Sequence, residues 1–147
     1  MPKLLLFAPC EKVIVDGPSN QVTLISIMQH VRYRAMANIQ MPQNAVMPMQ
    51  WNVLAVWQRE EQDRDDTTFN QRLLLSAPNS QVLFDRQSSW RFETRIARTI
   101  TRALGFPISN AGLLNLSLSY KRPESEWIDV GSFPIEVISE PISRSTI

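Results

Sequence analysis

The chain has 147 residues, 44% hydrophobic and 20% charged, with a formal net charge of +1. A chain of this length makes one domain that buries about 68–70% of its unfolded surface, and this composition excludes a disordered or fibrous polypeptide. The near-zero charge excludes a long-range field that would draw in nucleic acid or an anionic membrane.

The single cysteine, Cys10, cannot form an internal disulfide, which points to a reducing, cytoplasmic compartment. Lys3 followed by Leu4, Leu5, Leu6, Phe7, Ala8, Pro9 and Cys10 superficially matches a lipoprotein signal. The apolar run is shorter than the roughly 7–15 residues of a signal core, and Pro9 occupies the position before the cleavage site. No stretch approaches the ~18 apolar residues of a transmembrane helix, so no membrane association is expected.

In chain order, Leu4 to Ala8 is a short apolar run, and Val13, Ile14 and Val15 lead into Asp16, Gly17, Pro18, Ser19 and Asn20, a cluster of turn formers. From Gln21 the residues alternate, with Thr23, Ile25, Ile27, Val31 and Tyr33 on one side and Ser26, His30, Arg32 and Arg34 on the other. This predicts one long strand returning from a hairpin.

Between Ala35 and Gln58 there is no charged side chain. Within that span Met36, Ile39, Met41, Val46, Met47 and Met49 are interrupted by Pro42 and Pro48, which oppose regular structure. Connections usually cross the surface and are polar, whereas methionine suits adaptable contact surfaces. Residues 36–50 are therefore expected either to fold back and close one end of the domain or to form a surface for a protein partner or for self-association.

Trp51, Val53, Ala55 and Trp57 form one stripe, and the intervening Leu54 and Val56 are also apolar. Such a strand is expected to be central and covered on both faces. Leu73 to Leu75 form another short run, and Val82 to Phe84 start the next strand. Trp90, Phe92, Thr94 and Ile96 alternate with Arg91, Glu93 and Arg95, which predicts a half-buried strand. Residues 96–106 fit either a short helix or a strand. The β-branched Thr99, Ile100 and Thr101 favour the strand. Leu114, Leu116, Leu118 and Tyr120 alternate with polar residues, and Trp127 to Val130 with Phe133, Ile135 and Val137 make the last hairpin arm.

Seven to nine strands with turns between them predict an all-β, antiparallel β-sandwich of the immunoglobulin-like or C2-like kind. Trp51, Val53, Trp57, Phe92, Leu116, Leu118, Phe133 and Ile135 are expected to face inward. The domain is expected to span 1–138, with 139–147 a frayed tail.

The opening Leu6, Phe7, Ala8, Pro9, Cys10, Glu11, Lys12, Val13, Ile14, Val15 and Asp16 carries a resemblance to known proteins, as do Ser26-Ile27, Gly112-Leu113 and Phe133, Pro134, Ile135, Glu136 and Val137. The chain resembles a family of small bacterial proteins of this length with no assigned activity. The resemblance implies a bacterial β-sandwich and assigns no functional residue.

Cys10 and His30 are the only soft ligands, and neither has a companion at metal spacing. They lie on the strands of the first hairpin, so a cysteine nucleophile with a histidine base is one enzymatic possibility, against a packed structural cysteine. Arg59, Glu60, Glu61, Gln62, Asp63, Arg64, Asp65 and Asp66 form a charged loop. Its arginines oppose a calcium cage and favour a solvated hairpin tip. Arg86, Arg91, Arg95, Arg98 and Arg102 make a basic segment interleaved with Trp90 and Phe92, a mixture used for single-stranded nucleic acid. Alternation on a strand turns the aromatics away from the cations, so a solubilising edge or a partner face is the better expectation.

Four scattered glycines, at 17, 105, 112 and 131, make no phosphate loop. No catalytic residue, cofactor or metal is expected, and no nucleic-acid partner. The expectation is a non-catalytic protein-interaction module, a subunit or adaptor in an assembly. The alternatives are a sandwich domain that binds calcium or an anion and a cysteine-dependent enzyme.

Overall fold

The computed structural model describes residues 1–35, 41–63 and 67–142. They form nine strands: β1 (Lys3–Val15), β2 (Val22–Ile27), β3 (His30–Ala35), β4 (Val46–Gln58), β5 (Phe69–Ser76), β6 (Val82–Trp90), β7 (Ile96–Pro107), β8 (Gly112–Lys121) and β9 (Ile128–Pro141). One sheet has the order β2-β1-β4-β7 and the other β3-β9-β8-β5-β6. All pairs are antiparallel except β3 with β9, which is parallel. The chain is an all-β sandwich.

Period-2 alternation builds the core. Trp51, Val53, Ala55 and Trp57 of β4 face Leu73 and Leu75 of β5, Leu114, Leu116, Leu118 and Tyr120 of β8, and Ile135 and Val137 of β9 in one buried cluster. Fully burying one such leucine stabilises the fold by about 1.5–3 kcal/mol. Of the residues expected inward, seven are buried and Phe133 is half-buried against the same cluster. One end of the sandwich is closed by rings. Trp57 stacks on Trp90 at 4.9 Å, Phe69 stacks on Trp90 at 4.8 Å, and Tyr120 meets Trp57 edge-on at 5.5 Å.

The expected single strand over 21–34 is two strands on different sheets. Ser26 has φ +56° and Met28 is buried. The Met28 N–H donates to Pro9 O (2.9 Å), and Gln29 O accepts from Glu136 N–H (2.9 Å). One bond ties the crossing to β1 and the other to β9, so the chain changes sheet there. Unbroken alternation could not report this, because both halves keep period 2.

Two further expectations are corrected. The strand through Trp90, Phe92, Thr94 and Ile96 is instead the end of β6, a connection, and the start of β7. Trp90 and Phe92 are nevertheless buried. The tail expected from Ser139 is strand as far as Pro141, because Ser139, Glu140 and Pro141 pair with Tyr33, Arg34 and Ala35; residues 143–147 lie outside the described residues. Residues 96–106 are strand, as β-branching favours, but Leu104 and Phe106 do not share a face. Leu104 is 87% exposed and Phe106 fully buried, because Gly105 takes φ +80° opposite a register break between Met47 and Gln50. Pro48 stands in that break, where a missing N–H costs the ladder nothing.

β1 is paired with β4 from Lys3 to Cys10 and with β2 from Cys10 to Val15. Its second half leaves the sheet plane. Arg98 of β7 donates from Nη1 to Asn20 O (2.9 Å) and from Nη2 to Asn20 Oδ1 (2.7 Å). Because β4 lies between β1 and β7, the β1–β2 hairpin reaches Arg98 only by folding across the outward face of β4. Ala8, Cys10 and Leu54 sit on that face by register, and they are buried without belonging to the inter-sheet core.

Leu116, fully buried in the middle of β8, tests the core. Leu116→Ala should cost about 2–5 kcal/mol in urea unfolding, whereas Asn115→Ser, on the outer face of the same strand, should stay within about 0.5 kcal/mol.

Candidate functional site

β7 is the edge strand of its sheet and β6 the edge strand of the other. Between them runs a groove of about 610 Å³ lined by five consecutive residues of β6, Arg86 to Trp90, and five of β7, Arg98 to Arg102. A second groove of about 660 Å³ shares Trp90 and Arg98 with it and continues past Arg91, Glu93 and the hairpin residue Asn20.

Ladder chemistry sets which backbone atoms enter the groove. Arg59 N–H donates to Arg95 O (2.8 Å), so the odd-numbered residues of β7 turn their N–H and C=O groups toward β4. The even-numbered ones, Arg98, Ile100 and Arg102, turn theirs to the open edge. Arg102 O there accepts from Arg86 Nη1 (3.2 Å), and Ile96 O accepts from Thr94 Oγ1 (2.9 Å). On the outward face of β7 the side chains alternate Ile96, Arg98, Ile100, Arg102 and Leu104.

The guanidinium groups divide by partner. Arg32, Arg72 and Arg122 are paired with Glu140, Asp85 and Asp63. Among the described residues no carboxylate lies within ion-pair distance of Arg86, Arg91, Arg98 or Arg102. Arg98 and Arg86 are instead held by neutral acceptors, and Arg86 also lies over the Phe84 ring at 5.4 Å. Of the five arginines singled out in the sequence, four therefore gather along the β6–β7 seam. Arg95 lies apart, in a cleft with Glu60 and Glu61. Trp90, at the end of β6, and Phe92, in the connection after it, are both buried.

Cys10 and His30 do not meet. Cys10 is buried on the outward face of one sheet, while His30 is half-exposed on the other, with Nδ1 3.5 Å from Glu136 Oε2. In the acidic loop, Asp63 is not a solvated tip residue. Its side chain is buried, accepts Glu60 N–H (3.0 Å) and Arg122 Nη2 (2.9 Å), and lies 3.7 Å from the Met1 amine. One carboxylate thus ties this loop, the chain start and the β8–β9 turn together. Residues 64–66 lie outside the described residues, and among those described no three His, Cys, Asp or Glu side chains converge on a metal position.

In the segment expected to make a partner surface, Met41, Met47 and Met49 are half-buried against the core with Ala45. Ala45 O accepts Ile108 N–H (3.1 Å). Val46 is 55% exposed, and Pro42, Gln43, Asn44, Pro48 and Gln50 are exposed as well. Met36 and Ile39 lie outside the described residues. What the sequence reading missed is that β6 and β7 face each other across a gap, a fact that depends on strand order.

No family model matches the chain, and no curated protein matches it in sequence.

Burial pushes the Cys10 thiol up from its ordinary value, so it stays protonated at neutral pH. Stability from keeping that thiol neutral is present below the unfolded thiol's pKa and is lost as pH rises past it. Iodoacetamide at pH 7.5 should therefore alkylate native Cys10 at least about tenfold more slowly than the urea-unfolded chain, read by mass spectrometry.

Proposed function

We propose that this chain is a non-catalytic protein-interaction module, a subunit or adaptor, that holds an extended acidic segment of a partner protein along the β6–β7 seam. The observation that carries the reading is the set of four arginines without carboxylate partners beside an open strand edge. A strand added to β7 would pair with the N–H and C=O groups that Arg98 and Ile100 direct into the groove, the usual chemistry of edge recognition. Residues two apart on that strand share a face. Carboxylates opposite Arg98 and Arg102, with an apolar residue opposite Ile100, would meet charge with charge and apolar surface with apolar surface. Arginine's planar fork suits carboxylates, and the same cations discourage strands of other composition. A protein segment is favoured over single-stranded nucleic acid because Trp90 and Phe92 are buried, which leaves no aromatic platform for bases.

The probe is a fluorescein-labelled nine-residue peptide, apolar at positions 1, 5 and 9, glutamate at 3 and 7, and threonine elsewhere. Fluorescence anisotropy should show saturable binding that weakens with salt. Arg102→Ala and Arg86→Ala should each lower affinity about tenfold, or about 1.4 kcal/mol, without moving the melting temperature. A lysine-for-glutamate peptide should not bind. If the glutamate peptide fails to bind, or a labelled oligothymidine binds more tightly and loses affinity with the same two variants, the reading is overturned.

A further inference from the structure

The β6–β7 seam is closed at one end. Residues 91–95 carry the chain from β6 on one sheet to β7 on the other, so this connection crosses the gap beyond Trp90 and Ile96. At the Arg102 end the two strands go separate ways: β6 arrives from β5, and β7 leads on to β8. Ile96 O, the edge carbonyl at the closed end, is already engaged by Thr94 Oγ1 (2.9 Å). The ladder that a partner can join is therefore Arg98 and Ile100, short of the connection. A segment paired antiparallel to β7, the more stable arrangement per residue, enters at Arg102 and brings its C-terminal end to the connection. A parallel one brings its N-terminal end.

The second groove begins where the seam is blocked, sharing Trp90 and Arg98 with it. Its volume of about 660 Å³ is within the roughly 300–1,000 Å³ of pockets that take small ligands. Val22, Val56 and Ala97, all half-buried, give it an apolar lining, and Ile96 at its start is 54% exposed. Arg91, Glu93 and Arg98 give it charge, two cations against one carboxylate. Arg98 is held by Asn20, whereas Arg91 has no carboxylate within ion-pair distance among the described residues. Charge therefore decides between the two directions. An arriving amino terminus would set its positive charge against Arg91 and Arg98. An arriving carboxylate meets them with opposite sign, and the guanidinium fork suits it.

We propose that the seam takes the free C-terminal end of its partner, with the terminal carboxylate bound by Arg91 and an apolar last side chain laid against Ile96. This end-on binding rests on the function proposed above and makes the partner segment a chain end, not an internal stretch. The register agrees. In an antiparallel pairing that sets peptide positions 3 and 7 opposite Arg102 and Arg98, position 9 falls opposite Ile96, where the open ladder stops. Side chains opposite each other in a sheet share a face, so the side chain at position 9 lies outward with Ile96, on the face where Val56 pairs with Arg98. The carboxylate that follows it is then beside the connection that carries Arg91.

Three peptides of the acidic sequence above, each labelled with fluorescein at its N-terminus, distinguish a chain end from an internal segment. One ends in a free carboxylate at position 9, and one carries an amide there. The third is extended by three glycine and serine residues, which keeps the charge of the free acid but moves it away. The free acid should bind at least about tenfold more tightly than either of the others. Arg91→Ala should bring the ratio of free-acid to amide affinity close to one without moving the melting temperature, and Arg91→Lys should keep part of it. Equal affinities for the three peptides would overturn the inference and leave the seam as a site for an internal segment. A preference for the free acid that survives Arg91→Ala would overturn it too. If none of the three binds, the function proposed for the seam fails, and end-on binding with it.

Discussion

The structure depends on β4 being buried on both faces. On its inner face Trp51, Val53, Ala55 and Trp57 pack against the second sheet; on its outer face Leu54 and Asn52 are also buried. A two-sheet sandwich covers only one face of each sheet, so something else must cover the outside of β4. The β1–β2 hairpin does this. β1 is long enough, at 13 residues, to finish its pairing with β4 at Cys10 and then carry a second strand across the sheet. The bonds that hold the hairpin there are few: Asn52 to Glu11 at its base and Arg98 to Asn20 at its tip. Both donors protrude from the face being covered, so the cover is fastened to the surface it hides.

That arrangement decides what the rest of the surface has left to do. Arg98 is held in place by a neutral amide and carbonyl and not by a carboxylate. It contributes to a basic seam because the hairpin positions it without neutralising it. β2, carried out of the sheet plane, is freed from any neighbour but β1. The opposite sheet has no such arrangement. Its outer face is closed by ion pairs such as Arg72 with Asp85, where the guanidinium bond holds the Asp85 carboxyl below its usual range. Exposed pairs of this kind contribute little stability, but they neutralise the guanidinium groups that take part in them. The two faces of one small sandwich therefore differ in chemistry: one carries the Arg32–Glu140 and Arg72–Asp85 pairs, and the other presents Arg98 and Arg102 without carboxylate partners.

The candidate site was half legible in the sequence. The arginines stood out as a group, and Trp90 and Phe92 are buried as expected, although Phe92 lies in a connection and not on the strand from which alternation argued. Their convergence was not legible, because Arg86 lies on one sheet and Arg98 and Arg102 on the other, and only strand order brings β6 alongside β7. The same limit applies to Asp63. In a run of charges it reads as solvated, yet Arg122, 59 positions away, makes it a buried anchor. The uncharged segment 36–50 was conspicuous for its composition. Where it is described, its methionines pack against the core and Met47 pairs with Phe106 across the ladder, and composition alone could not distinguish that from a surface.

For the fold, the sequence by itself determined what local periodicity controls: the strand class, the inward residues of β4, β8 and β9, and the two-sided burial of β4. Side chains alternate along a strand whatever the strand pairs with, so this information is contained in each segment. Only the tertiary structure decided which sheet each strand joins. The chain changes sheet at Met28, β1 changes neighbour at Cys10, and β3 runs parallel to β9 out to Pro141. Each of these is a hydrogen-bonding choice between backbone groups that are chemically identical at every residue. No side-chain pattern encodes them, and they are settled only when the whole core packs at once.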